Sequence, residues 1–523
     1  MARAGEWEQL EKFTGRVCPR FPDSAELAGL RYGTLRELKR DVEAAHGIVD
    51  FLLRHPENAL AKQSLQSVVR FLNRYDRDLV EKLSRWKTLP GRVFLVRILV
   101  KMRNSDEALR WFTVLEREFP GQSLLTRDAF AEELYKAELF EAAESVLWEA
   151  IAEHPEEAPR VRRLVEVLLE LVKAGYRERL NEATVVAGTL LEDQPEEPEA
   201  WFAMALCYRA ASRPELAYPL FERFFAHFPN HSFRSAHTFD SSYVESLAPE
   251  TLFALRKDWS ARTKWLTACR PAVALHGNRD PERRLRVGYI SPDFGKHPVG
   301  YFAWTVVQHH DPEAVEAFLY SQRDPVGMDD AVSKQFRAWA GEDHWRWIAQ
   351  VPPKALVEKI RRDRIDLLVD LAGHSADNRL DSVLHRSAPV QVHWLGFAAS
   401  TGAENMDYRI SDEVTEPRGA SEHLSSEEIW RLPRGFHAIT MSEGLPEPAP
   451  PPCLKNGYLT FGSFNNINKL GQRTLELWSR LLRAVPGSRL ILKHQTMEVF
   501  DSREAVRSAF ALHGVDPGRL AFK

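Results

Sequence analysis

Four stretches of this chain carry most of the side chains able to move protons or hold anions. The first, RLRVGYISPDFGKHPVGYF (284–302), ends a β-branched, aromatic run in a turn that presents His297 immediately before Pro298. An imidazole there is a titratable group delivered to a loop. The second, DLLVDLAGHS (366–375), places Asp370 at the end of an apolar run and His374 after Ala372 and Gly373. A carboxylate near imidazole raises its basicity and orients it, as a general base for a hydroxyl nucleophile requires. Both residues are expected to face the same cleft as His297. The plainer alternative is that Asp370 caps its turn and His374 is solvated. The third, VQVHWLGFAASTGAENMDY (390–408), reads as a buried strand followed by a small-residue loop through Gly396 and Gly402, which would let a ligand approach closely. The fourth, LTFGSFNNINKLGQRTLELW (459–478), ends a strand with Asn465, Asn466 and Asn468, then Lys469, then a helix. A helix N-terminus offers free N–H groups and partial positive charge, and Lys469 beside it could neutralise a pyrophosphate. No G-x-x-x-x-G-K-[ST] pattern is present, so nucleotide hydrolysis is not indicated.

Short strands must position these groups. The runs 286–291, 315–320, 366–371 and 390–395 have strand composition bounded by turn residues, with helices such as 353–364 between them. That alternation predicts a parallel, doubly wound sheet, whose ligands sit outside the carboxyl ends of the strands. It defines one lobe over 284–447. The proline-rich LPEPAPPPC (445–453) is a stiff break. A second α/β unit, 448–523, follows, with strands at 458–463, 489–493 and 520–522 and helices at 472–484 and 502–513. Some 70 residues are fewer than the usual 100 or more of a nucleotide-binding lobe, so a truncation is expected.

Upstream the texture is helical. Ala108, Phe112 and Pro120 recur as Ala143, Leu147, Pro155, as Ala183, Ala187, Pro195 and as Ala217, Phe221, Pro229. The prolines lie 35, 40 and 34 residues apart, close to the 34-residue period of the tetratricopeptide helix–turn–helix. The last copy adds Trp201, Met204, Ala205 and Tyr208 at that repeat's spacings, and the longer second interval, Pro155 to Pro195, predicts an insertion within 174–182. The boundaries expected are 1–104 for a helical N-terminal region, where Val68, Phe71, Leu72 and Leu79 keep helical spacing, 105–232 for the repeats and 233–283 for a helical linker. A simple helical bundle is the competing reading.

Composition narrows the partners. At 523 residues the chain has room for roughly three domains, and 44% hydrophobic with 28% charged residues is ordinary for globular protein. A net charge of -4 implies no global attraction to nucleic acid or to anionic membrane. The first twenty residues lack a signal-peptide core and no apolar run reaches the ~18 residues that span a bilayer, so a cytoplasmic location is expected. Cys18, Cys207, Cys269 and Cys453 form no C-x-x-C pair, which argues against a zinc site or a disulfide framework.

Taken jointly, the repeats followed by RVGYISPDFGKHPVG, VDLAGHS, VQVHWLG…MDY and FGSFNNINK resemble the O-linked N-acetylglucosamine transferase family, including its bacterial and SPINDLY-type members. The resemblance runs from about Asp106 to the last residue. It implies an α-helical tetratricopeptide solenoid followed by an α/β GT-B glycosyltransferase of Rossmann-like lobes, the second incomplete. It also implies inverting transfer of a sugar, N-acetylglucosamine from UDP-GlcNAc, to Ser or Thr of acceptor proteins held by the solenoid, with no cofactor and no metal. By motif, His297 matches the family's histidine proposed as base or donor-positioning residue. Asp370 and His374 match its Asp-x-x-x-His turn, where the Asp has also been suggested to receive the proton. Lys469 matches the lysine on the donor diphosphate, Asn466 is a further phosphate contact, and Leu395 and Gly396 line the sugar pocket.

Two departures stand out. The family continues Y-P-G-T-[ST]-G after Gly396, where this chain has Phe397, Ala398, Ala399, Ser400, Thr401 and Gly402. The family's remaining donor-binding elements also lie past Lys523, so a polypeptide ending there is expected to bind donor poorly and turn over slowly. Two other readings remain open: transfer of fucose from GDP-fucose, and a non-catalytic repeat scaffold.

Overall fold

The computed structural model describes residues 4–69, 72, 76–121, 126–266, 280, 282–323, 330–440, 446–494, 497 and 500–523. Phe71, Cys269, Leu445 and most of the linker after Leu266 lie outside the described residues. The chain divides into two compact units, Met1–Ala210 and Ala211–Lys523.

The first unit is all helix among its described residues. The repeat positions explain why. Ala108, Ala143 and Ala183 are fully buried, each on a helix (Ser105–Glu118, Phe140–Glu153, Arg179–Asp193) that ends just before its proline. A methyl side chain lets neighbouring helices approach, and proline cannot continue a helix because its ring displaces the backbone donor. Phe112 and Phe130 stack at 4.2 Å where the first two of these helices adjoin Arg127–Lys136. The long second interval is absorbed mainly by the helix Ala158–Ala174, 17 residues long and closed by Gly175 in a left-handed conformation. The helices Pro198–Ala210 and Pro214–His227 carry the fourth copy, and the boundary between units falls between them.

In the second unit, seven strands form one parallel sheet: β1 Leu285–Ser291, β2 Val315–Ser321, β3 Trp345–Trp347, β4 Leu367–Asp370, β5 Val390–His393, β6 Tyr408–Asp412 and β7 Glu428–Leu432. Their order is β3-β2-β1-β4-β5-β6-β7, so the winding reverses between β1 and β4. Alternating side chains bury both faces, as a parallel sheet demands. Val287, Tyr289 and Val369 face a cluster with Phe294, Val299 and Phe336, while Ile290 and Leu368 face Leu356, Ile360 and Trp259. Trp259 comes from the helix Pro249–Leu266, which thereby covers one face. A second parallel sheet, β8 Thr460–Ser463, β9 Arg489–Leu492 and β10 Leu520–Phe522, is ordered β10-β9-β8 and packs on the helices Gln472–Ala484 and Phe500–Leu512. This is a helical-repeat region followed by an α/β region of GT-B type. No helix among the described residues is long and apolar enough to cross a membrane. Strands β3, β6 and β7 and the helix Pro298–Val307 were not anticipated from the sequence.

Candidate functional site

The reversal of winding opens a crevice at the carboxyl ends of β1 and β4, the usual ligand position in such sheets. The chain leaves β1 at Ser291, turns, and enters the helix Pro298–Val307 with His297 as its N-cap. His297 is therefore a helix-capping residue; Pro298 at the first helical position is the signal for it. The imidazole Nδ1 accepts from the Val299 N–H (3.3 Å), lies 3.4 Å from Asp293 Oδ1, and the side chain is 45% exposed. Burial raises the Asp293 carboxyl pKa; the charges of His297 and Arg323 pull it back down, and the charge of Asp377 pushes it further up. Asp330 clamps the turn by accepting from the Lys296 N–H (2.9 Å) and pairing with Arg323 (2.9 Å). The Arg323 guanidinium lies 2.4 Å from where a Cβ on Gly295 would stand, so a side chain there would displace the Arg323–Asp330 pair.

At the end of β4 the structure departs from the expected pairing. Asp370 is not the partner of His374: its Oδ2 lies 2.9 Å from Nδ1 of His393, the residue opposite it on β5. Register across neighbouring strands, rather than spacing along the chain, chooses the partner. The Asp370 carboxylate also accepts from the N–H groups of Ala372 (3.3 Å) and Gly373 (2.8 Å). His374 is buried, not solvated. Its Nε2 donates to the Thr401 carbonyl (2.9 Å), its ring meets Trp259 and Phe397 edge-on, and burial depresses its pKa to about 4. So it is a neutral ring: the Asp370 charge raises its basicity, as expected, but burial outweighs that effect. Asp370 and His374 are each about 1% exposed, in contrast to His297.

The 394–402 loop was expected to leave room for a ligand at its glycines. That room is taken by the chain itself: a Cβ on Gly396 would stand 1.9 Å from the Leu371 carbonyl oxygen, and one on Gly402 would stand 2.5 Å from the Arg256 carbonyl carbon. Leu395, between Trp394 and Gly396, has φ 81, a left-handed conformation that costs a residue bearing a side chain. Beneath the loop, buried Glu427 accepts from the Ser400 hydroxyl (2.6 Å), the Thr401 N–H (2.7 Å) and the Thr401 hydroxyl. Burial alone would raise its pKa, but these bonds and the charge of His393 hold it below the usual carboxylate range. Arg256 is buried nearby with its charge facing Glu427, and burial lowers its pKa to about 10.

In the second sheet, a cavity of about 300 Å³ opens at the ends of β8 and β9, with Ser463, Asn465, Asn466, Lys469, Lys493 and His494 among its lining. Lys469 closes a one-turn 3-10 helix, Ile467–Lys469, whose N-cap Asn466 accepts from the Asn468 N–H (3.0 Å). The longer helix starts only at Gln472, and its expected free N–H groups are partly engaged: Arg473 N–H donates to Glu245 Oε2 (3.1 Å). Asp293, His393, Glu427 and Lys493 were not singled out from the sequence. Lys493 was legible, since it is the last residue of an expected strand, 489–493, and ligands bind at such strand ends. Among the described residues no cluster of three His, Cys, Asp or Glu could hold a metal ion. Cys18, Cys207 and Cys453 are free thiols.

Comparison with known proteins places this arrangement. Residues 268–441 match the model of Glycosyl transferase family 41. The probable UDP-N-acetylglucosamine–peptide N-acetylglucosaminyltransferase SPINDLY of Solanum lycopersicum is 35% identical over 282 residues, 53% of this chain and 30% of that protein. Its counterpart in Arabidopsis thaliana is 38% identical over 255 residues, 48% of this chain and 27% of that protein. The chain thus spans about 30% of the length of the curated relatives it matches. A solved mutant of the Thermobaculum terrenum O-GlcNAc transferase superposes with a TM-score of 0.65 at 29% identity, over 75% of this chain and 72% of that one.

Proposed function

From the premise that the chain carries a glycosyl transferase family 41 region, we propose that it transfers N-acetylglucosamine from UDP-GlcNAc to Ser or Thr hydroxyls of proteins. The observation that carries the reading is the polar cavity at the strand ends of the second sheet, where Lys469 and Lys493 supply two cations. In this mechanism the diphosphate is neutralised by the lysines, and Asn466 is a further contact. His297, partly exposed at the crevice and beside Asp293, takes the proton of the attacking hydroxyl on Nδ1, which gives up the Val299 N–H as the hydroxyl adds to the anomeric carbon in line. The lysines stabilise the charge that develops on the leaving diphosphate, an interaction stronger in the transition state than in the ground state. Transfer then inverts the anomeric centre and uses no metal. The helical repeats hold the acceptor proteins, and the chain acts in the cytoplasm.

Calorimetric titration of the chain with uridine and guanine diphosphates, repeated on Lys469→Ala, tests this reading. Saturable UDP binding, weakened at least tenfold by the substitution, supports it. Binding of GDP alone turns the reading to fucose transfer. Binding of neither overturns it and leaves the helical repeats as the working part.

A further inference from the structure

His393 is fully buried, and both of its ring nitrogens face acceptors: Nδ1 lies 2.9 Å from the Asp370 carboxylate and Nε2 lies 2.7 Å from the Phe397 carbonyl oxygen. A carbonyl oxygen can only accept, so Nε2 carries a proton. Both Asp370 oxygens already receive backbone N–H groups, which favours the ionised carboxylate and leaves Nδ1 to donate as well. A neutral imidazole has one N–H and cannot make both bonds.

We propose that His393 is a protonated imidazolium which, paired with Asp370, acts as a positioning residue: it fastens the 394–402 loop and holds Leu395 and Gly396 in shape for the donor sugar. The loop geometry requires such a fastening. The His393–Phe397 bond closes a turn of five residues centred on Leu395, whose positive φ persists only where its surroundings over-determine it. The same turn is anchored on β4, because Trp394 N–H donates to the Asp370 carbonyl (2.9 Å) and Gly396 sits against Leu371. One charged pair therefore joins the end of β4, the end of β5 and the loop.

The surrounding charges agree with a cation. Glu427, from the segment before β7, adds a favourable negative charge. Arg409, opposite His393 on β6, is neutralised by Glu416. His374, on the loop after β4, is neutral, and the charge of Arg256, from the helix over this face, is offset by that of Glu427. Burial opposes the charge on His393, but the Asp370 hydrogen bond and charge and the Phe397 carbonyl together push its pKa above the ordinary imidazole value. Asp370, about 1% exposed and saturated by three donors, is on this assignment the counter-ion and not the acceptor of the substrate's proton.

The charge stands apart from the function proposed above; the loop's part in sugar binding rests on it. Two measurements separate them. Ring-nitrogen NMR of the histidine-labelled chain at pH 8, with the signal assigned by its loss in His393→Gln, should show both nitrogens protonated. One unprotonated ring nitrogen at that pH overturns the proposal. Asp370→Asn should then weaken binding of UDP-GlcNAc at least fivefold and leave binding of UDP, held by the second sheet, unchanged. A variant that keeps full affinity for UDP-GlcNAc and loses only kcat behaves as a missing base and also overturns it. If the unsubstituted chain binds no nucleotide, the transferase reading falls, while a doubly protonated His393 still upholds the buried pair.

Discussion

Trp259 meets His374 edge-on, with ring centroids 4.7 Å apart at 77°, and so ties the helix Pro249–Leu266 to the loop that follows β4. An indole over a buried imidazole leaves no room for solvation of a charged ring. The consequence is a pH dependence with a defined sign.

Burial lowers the folded-state pKa of His374 to about 4 from 6.5. Between those values the unfolded chain binds a proton that the native ring refuses, so stability falls as the pH drops and levels off below about 4. At about 1.4 kcal/mol per pH unit, the loss totals about 3 kcal/mol. Urea unfolding at pH 7, 5.5 and 4 checks this, and His374→Gln should flatten that part of the slope. His393 works in the opposite sense: its raised pKa gives stability present at low pH and lost as the pH climbs through the folded value.

Gly396→Ala and Gly402→Ala should each cost about 3 kcal/mol or more, because the new Cβ would meet backbone atoms that cannot move aside. Gly402 adds the strain of φ +71. Gly435, with nothing within 4 Å of its would-be Cβ, is the control, and Gly435→Ala should stay within about 0.5 kcal/mol of the parent. Thermal melts of the three variants decide the matter; equal melting temperatures would remove the packing argument.

Glu427→Ala should destabilise the second unit by about 3–5 kcal/mol, since it strands the Ser400 and Thr401 donors and leaves Arg256 buried without its counter-charge. Adding Arg256→Met removes that stranded cation and should restore at least 1 kcal/mol, roughly, by the coupling expected of groups in one network. Strict additivity in the double variant would show that the two charges do not interact.

His297→Ala should lower sugar transfer by about 10²–10⁴-fold, the range of a lost general base. UDP affinity should not change, since the lysines that hold the diphosphate lie in the second sheet. Loss of the N-cap bond to Val299 adds about 1 kcal/mol of destabilisation. Weakened UDP binding with an unchanged turnover number would assign His297 to the donor instead.

The strands that carry these groups were readable because each is a β-branched or aromatic run bounded by turn residues; β1, β2, β4 and β5 lie within a residue or two of where composition puts them. The helix Gln472–Ala484 was readable for the matching reason, an apolar stripe at helical spacing. Strand β3 was not, because Trp345–Trp347 is three residues long with an arginine between two indoles, and β7 was hidden by the outward Trp430. The buried charge network was illegible on different grounds. Asp370 meets His393 through strand register, and Glu427 reaches Thr401 across 26 residues of chain. Spacing along a sequence reports neighbours on one element; it carries no record of which strand lies alongside.

The strand order has one more consequence. β4 has three strands on either side, and β1 and β5 are its immediate neighbours, so the crevice is built on the middle of the sheet, while β3 and β7 are its rims. Fraying begins where a ladder has a single partner, and the interior opens only when the whole sheet does. Amide protons of β4 should therefore exchange last and those of β3 and β7 first. The ground beneath the crevice is the most slowly breathing part of the lobe, and of the two rims it is β7 that is tied to it, through Glu427 and the 394–402 loop.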